Sequence, residues 1–331
     1  MSALDFQYAS VLISDCLKVQ PGEEVLIFAD DDKLGFSADL SYFIKQNGAR
    51  PSIFYIPSTI RPVEKITEIQ SLALISADAV IYILDASGNG FDLSKEISFR
   101  HFLFSLPIQY KGRVCMMPAF SDEMKKAVTI DYESLNRSCT NLSRIINDKF
   151  IKIKTELGTD IEFSLQGRKI MIDNGDISKV GMYGNIPAGE IFTAPVEESI
   201  NGTIVVDGSI GGLGMVKNPI SIEIESGRIK KMNSRVDDDI FEQFKKMCDY
   251  DLPATRTVGE FCIGLNPGAN IIGTMLMDEK VRGTVHFAFG DSYGLGRSSS
   301  KFHTDVLIKR PSIFVQDRCI MEKGKFILSD S

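Results

Sequence analysis

The sequence predicts an α/β protein: an N-terminal α/β domain with a mainly parallel sheet over residues 1–148, then a mixed, strand-rich α+β domain over residues 149–331. Three observations predict it. In the first half, short apolar runs alternate with helical stretches of about 10–15 residues, a pattern that places helices on both faces of a parallel sheet. After residue 148, alternation with a period of two and close turns take over, as antiparallel hairpins require. The chain has 331 residues, 44% hydrophobic and 24% charged, enough for two cores that need no disulfide staples.

The elements follow in order. MSALDFQYASVLISDCLKV reads as an amphipathic helix, because Asp5 and Asp15 interrupt what a signal peptide keeps apolar. The turn Pro21-Gly22 precedes a strand over 24–30. Leu34 to Asn47 has helical spacing and stops at Gly48, and PSIFYI (51–56) is a second strand. Pro62 is expected to open a helix reaching about Ala77. AVIYIL (79–84) and GRVCMM (112–117) are further strands, and Asp131 to Asp148 is a helix with Leu135, Leu142, Ile145 and Ile146 on one face. Gly88-Asn89-Gly90 follows a strand but lacks the remainder of a dinucleotide-binding fingerprint, so it reads as a loop. Beyond the boundary, FIKIKTEL and DIEFSLQG flank the turn Gly158-Thr159; TIVVDGSI and PISIEIESGRIKKM continue the alternation.

A net charge of -7 argues against a nucleic-acid partner, since a phosphate backbone calls for a basic surface. No run of 18 apolar residues offers a membrane span. Six cysteines without a CxxC pair suit reduced thiols and a cytoplasmic location.

The chemistry concentrates near the C-terminus. Of three histidines, His286 and His303 lie seventeen residues apart, and Asp305 follows His303 by two. Residues i and i+2 of a strand share a face, so His303 and Asp305 can reach one ion, with His286 completing the set from a neighbouring strand. Two imidazoles and a carboxylate suit zinc, cobalt, manganese or ferrous iron. The plain alternative is two unrelated strand histidines and a surface aspartate. Glu190 and Glu260 each enter an apolar run from a Pro/Gly or Gly turn; a buried glutamate needs a partner, either a cation or an arginine such as Arg256 or Arg282. Asp278, Glu279 and Lys280 read as a solvated charged turn, and Glu197, Glu198 and Asp207 as surface or substrate groups. Tyr293 sits in GDSYGLGRSSSK, which is either a lid or a plain hairpin connection.

The blocks GNIPAGEIFTAP, VGEFCIGLNPG, DEKVRGTVHFAFGDSYG and FHTDVLIK, in this order, resemble the aminopeptidase T/aminopeptidase S family of dimetal metallopeptidases. The resemblance covers most of the second half, with VQPGEEVLI adding to it in the first. It implies metal ligation by Glu190, Glu260, His286, His303 and Asp305, with Glu260 bridging two divalent ions (zinc, cobalt or manganese) and Tyr293 stabilising an oxyanion. The expected function is then an aminopeptidase acting on a peptide or small-molecule substrate through a metal-activated water, in a homodimer. The short chain and the compressed segment between the histidines also resemble a branch containing 2,5-dihydroxypyridine dioxygenase. That branch implies one Fe(II) on His286, His303 and Asp305, and ring cleavage. A third reading is a non-catalytic metal-binding protein.

Overall fold

The computed structural model describes residues 4–85, 93–236 and 238–327, so the Gly88-Asn89-Gly90 loop lies outside the described residues. Contacts divide the chain into two units, 1–130 with 175–188 and 131–174 with 189–331. The expected boundary at 148 falls just after the helix Tyr132–Ile146, which packs its Leu135, Cys139, Leu142 and Ile146 stripe within the second unit. Asp131 caps that helix by accepting the amides of Glu133 and Ser134.

The first unit carries the expected parallel sheet. Its strands run in the order Arg50–Tyr55, Glu24–Ala29, Ala79–Ile83, Arg113–Met116, and finally Tyr183–Asn185, all parallel. The last strand comes from the 175–188 excursion, which no strand signal in the sequence had marked. The helix expected from Pro62 starts later, at Glu68. Thr67 supplies the reason: its hydroxyl and Gln70 form a reciprocal capping box that fixes the start there. His101 lies in the helix Ile97–Gln109, exposed and edge-on to Phe104.

The second unit holds two antiparallel sheets. One has eight strands and includes the hairpins Phe150–Lys154 with Asp160–Ser164 and Ile220–Glu225 with Arg228–Ser234. The other has seven, and its inner strands are Glu190–Thr193, Val258–Gly264, Val285–Gly290 and His303–Ile308, with Met171–Asp173 at one edge. Phe163 of the first sheet meets Phe261 and Phe287 of the second, at ring-centroid distances of 4.8 and 5.7 Å. These rings are fully buried, and they join the sheets through one apolar layer.

Among the described residues no helix is long and apolar enough to cross a membrane. None of the six cysteines forms a disulfide. The mixed α/β class therefore stands as expected. Because Phe163 is the ring that meets both Phe261 and Phe287 across the two sheets, Phe163→Ala should cost about 3–5 kcal/mol, the range for truncating a buried aromatic. Urea unfolding followed by a probe in the second unit would measure it; a cost below about 1 kcal/mol would show that the ring is not the joint between the sheets.

Candidate metal centre

The register of the seven-stranded sheet assembles the site. Directly paired residues in an antiparallel sheet project from the same face. The pairs are Asp173 with Glu190, Glu190 with Gly264, Cys262 with His286, Glu260 and Asp305 each with Ala288, and His303 with Gly290. One face therefore carries Asp173, Glu190, Glu260, Cys262, His286, His303 and Asp305. The residues between them, including Ile191, Phe261, Phe287 and Val306, turn to the apolar layer. Ala288 and Gly290 leave room in the middle of the polar face.

Four of the expected ligands converge. His286 Nε2 lies 3.4 Å from Glu260 Oε1 and 3.8 Å from Asp305 Oδ1. His303 Nε2 lies 3.2 Å from the same Asp305 oxygen. Glu260, His286 and Asp305 each offer a donor atom within 4.8 Å of the others. The His303 Nδ1 is 2.8 Å from the carbonyl oxygen of Asp291. A proton on Nδ1 donated there leaves the Nε2 lone pair facing the cluster, the arrangement typical of a metal-binding histidine. The Nδ1 of His286 is buried and finds no hydrogen-bond partner among the described residues, so its ring is held by packing and by the carboxylates beside Nε2.

Charge decides what this cluster needs. Burial alone would lower the His286 imidazole, but the bond to Glu260 and the charges of Asp305, Glu190 and Glu279 outweigh it and raise it to about 9. Burial likewise opposes a charged His303, and Asp305 overrides it, lifting the ring to about 10. Burial would raise Asp305, yet the two imidazoles hold it down at about 2. Without another cation, the imidazoles thus keep their protons to balance the carboxylates. With the imidazoles neutral, two carboxylates face two nitrogen lone pairs, a donor set and charge that a divalent ion balances.

Glu190 also adjoins His286, with a carboxylate oxygen within 4.8 Å of one of its ring nitrogens, but it is already engaged. Its Oε1 is 2.5 Å from Lys280 Nζ, and its Oε2 accepts from the Cys262 thiol at 3.0 Å. That thiol is raised well above its ordinary range by burial first and then by Glu190 and Glu260. Lys280 is fully buried and also meets Asp173 at 3.1 Å and Glu279 at 2.8 Å. Its burial opposes the charge, but Glu190, Glu279 and Asp173 together hold the ammonium form. The partner of Glu190 is therefore a lysine. Arg256 pairs with Asp249 instead, and Arg282 lies over the Phe326 ring.

The Asp278–Lys280 turn, expected to be solvated, is the main surprise. Asp278 is buried, accepting from the Ser209 hydroxyl and the amides of Ile272 and Gly273. Those bonds anchor the short helix Met275–Asp278 and aim the next two residues at the sheet. Gly264 admits them: a Cβ there would collide with the carbonyl of Val281 and crowd that of Glu279. Sequence pattern gave no warning, because three consecutive charged residues normally mark solvent. The one trace of it is the glycine at 264, at the end of the strand Val258–Gly264.

Tyr293 has φ +48 and is 70% exposed, with its ring 4.7 Å from that of His303. It stands beside the cluster rather than within it. The loop around it is a braced turn: Ser292 donates to the Ser298 carbonyl, Asp291 to Phe302, and Ser300 to the Asp291 carboxylate. Glu197, expected at the surface, is buried and ties the loop down, accepting the Arg297 amide at 2.6 Å and pairing with the Arg168 guanidinium. Glu198 remains exposed beside Arg297, and Asp207 binds the Lys309 amide away from the cluster.

A family model described as 2,5-dihydroxypyridine 5,6-dioxygenase matches residues 10–328. The 2,5-dihydroxypyridine 5,6-dioxygenase of Pseudomonas putida KT2440 is 21% identical over 192 residues, 54% of this chain and 54% of that protein; the match spans about half the length of that relative. The solved structure of 2,5-dihydroxypyridine dioxygenase from the same organism gives a TM-score of 0.75 at 16% identity, covering 100% of this chain and 99% of that one. Wild-type AmpT from Thermus thermophilus gives 0.75 at 17% identity, covering 98% and 99%. At such identities the structural likenesses establish the fold, which does not choose the reaction. The family match does bear on it, and it overturns the expected aminopeptidase: hydrolase chemistry and proteolysis are withdrawn in favour of the dioxygenase branch.

Glu197→Ala should loosen the turn that carries Tyr293 and cost roughly 1.5–3 kcal/mol, as loss of hydrogen bonds to a charged group does. Hydrogen exchange of the 291–302 amides would measure the first effect. Unchanged protection there would show that the turn holds itself without Glu197.

Proposed function

The chain belongs to the 2,5-dihydroxypyridine 5,6-dioxygenase family, and on that premise we propose that it is a mononuclear ferrous dioxygenase opening a dihydroxypyridine-like aromatic ring. The observation that carries the proposal is the convergence of His286, His303 and Asp305 on one face, while Glu190 is occupied by Lys280. Two histidines and one carboxylate leave coordination positions open, the arrangement of non-haem Fe(II) oxygenases. Iron held there supplies the one-electron chemistry toward dioxygen that closed-shell organic groups lack.

The chain's own residues do the rest. His303 is oriented by the Asp291 carbonyl, which fixes the tautomer with its lone pair on Nε2. His286 is set by packing, with Phe287 anchoring its strand in the apolar layer behind it. Glu260 keeps a carboxylate beside His286, within reach of the same space. In this reading it takes the proton that a ring hydroxyl gives up, which makes the ring a better electron donor. Tyr293 shields the outer side of His303. Both atoms of dioxygen enter the product and one ring carbon–carbon bond breaks, so no external reductant is needed.

Protein loaded with Fe(II) under anaerobic conditions should consume oxygen when given 2,5-dihydroxypyridine, and His303→Ala should abolish both the uptake and the iron. Glu260→Gln should keep the iron while lowering kcat by about 10²–10⁴, the range for losing a general base. Iron-loaded wild type that takes up no oxygen with any dihydroxypyridine would overturn the proposal.

A further inference from the structure

Lys280 is an unusual residue to find fully buried, and it stands where its surroundings ask for a cation. Three carboxylates, Asp173, Glu190 and Glu279, surround its Nζ at 3.1, 2.5 and 2.8 Å. They come from three separate segments: an edge strand, an inner strand and the turn after the Met275–Asp278 helix. A sulfur and a nitrogen donor adjoin them. A Glu190 oxygen, the Cys262 sulfur and a His286 nitrogen lie within 4.8 Å of one another, and His286 Nδ1 is buried without a partner among the described residues. Oxygen, sulfur and nitrogen donors converging in a buried pocket form a ligand set for a divalent ion. An ammonium and a divalent cation compete for such a place, because both are held by the same carboxylate charge.

We propose that the Lys280 ammonium permanently fills this cation position, and that it thereby limits the face to a single metal ion, at His286, His303 and Asp305. The inference rests on the single-ion reading above and explains it. Glu190 faces the lysine, so it contributes nothing to the iron directly. Lys280 is a positioning residue: it holds Glu190, Asp173 and Glu279 away from the metal and supplies their counter-charge. The anchoring of the turn by Asp278, and the missing Cβ of Gly264, keep the ammonium there.

The test counts ions. Zinc is a suitable probe because it is redox-silent and accepts oxygen, nitrogen and sulfur ligands. Metal-free protein is dialysed against excess Zn²⁺ and the bound metal measured by elemental analysis. Wild type should hold about one ion per chain, Lys280→Met about two, and the double variant Lys280→Met/Glu190→Gln about one again. A Lys280→Met protein with wild-type circular dichroism that still holds about one ion overturns the inference and leaves the single-ion reading intact. Wild type holding about two ions overturns both. Glu190→Gln alone, which keeps the lysine and two of its partners, gives a check that does not depend on Lys280→Met folding: it should retain its one ion, and loss of that ion would make Glu190 a ligand and sink the proposal.

Discussion

A β-strand offers each face only every second residue, and the candidate centre exists because four adjacent strands obey that rule in one register. If any of them slipped by one residue, its ionisable side chains would enter the phenylalanine layer and its aromatic residues would enter the site. The alternation His286-Phe287-Ala288-Phe289 therefore does two jobs. Phe287 and Phe289 lock the strand to the core, and the same lock sets where His286 points. Packing energy on one side of the sheet is what holds costly polar groups in place on the other.

Electrostatics then sorts that polar face into two regions. Around His286, His303, Glu260 and Asp305, the positive charge in the protein as it stands is borne by imidazole protons, which a metal can displace. Around Glu190, Asp173 and Glu279, it is borne by Lys280, which burial would neutralise were it not for three carboxylates. Two pockets of similar acidity thus have different counter-ions, one exchangeable and one covalently part of the chain. The chain shares its fold with AmpT and with a dihydroxypyridine dioxygenase, and a shared fold does not choose the reaction.

How much of this was legible in the sequence follows from the range of each interaction. Four of the five parallel strands of the first unit and the hairpins of the second were readable, because alternation and turns are local. The pairing of His303 with Asp305 was readable for the same reason, as both lie on one strand. His286 joined them only through long-range register, which the ordered blocks suggested and spacing alone did not. Glu190 was expected as a metal ligand, and its pairing with Lys280 was not legible because that partner is ninety residues away in the chain. Lys280 was misread because its neighbours Asp278 and Glu279 made it look solvated, whereas burial of that turn depends on Gly264 and on Asp278 bonding to Ser209. The start of the helix at Glu68 was missed through a capping box that a proline several residues earlier had obscured. The choice of an aminopeptidase rested on counting Glu190, Glu260 and Tyr293 as active-site groups; Glu260 does stand at the cluster, but Glu190 is held by a lysine and Tyr293 is largely exposed.

One ion is expected on this face, at the histidine end. A crystal of the iron-loaded protein, with anomalous differences collected at the iron edge, tests it most directly. A single peak is expected within bonding reach of His286, His303 and Asp305, with the Lys280 ammonium still on Glu190. A peak bounded by Glu190 and Cys262, or two peaks on the face, would contradict it.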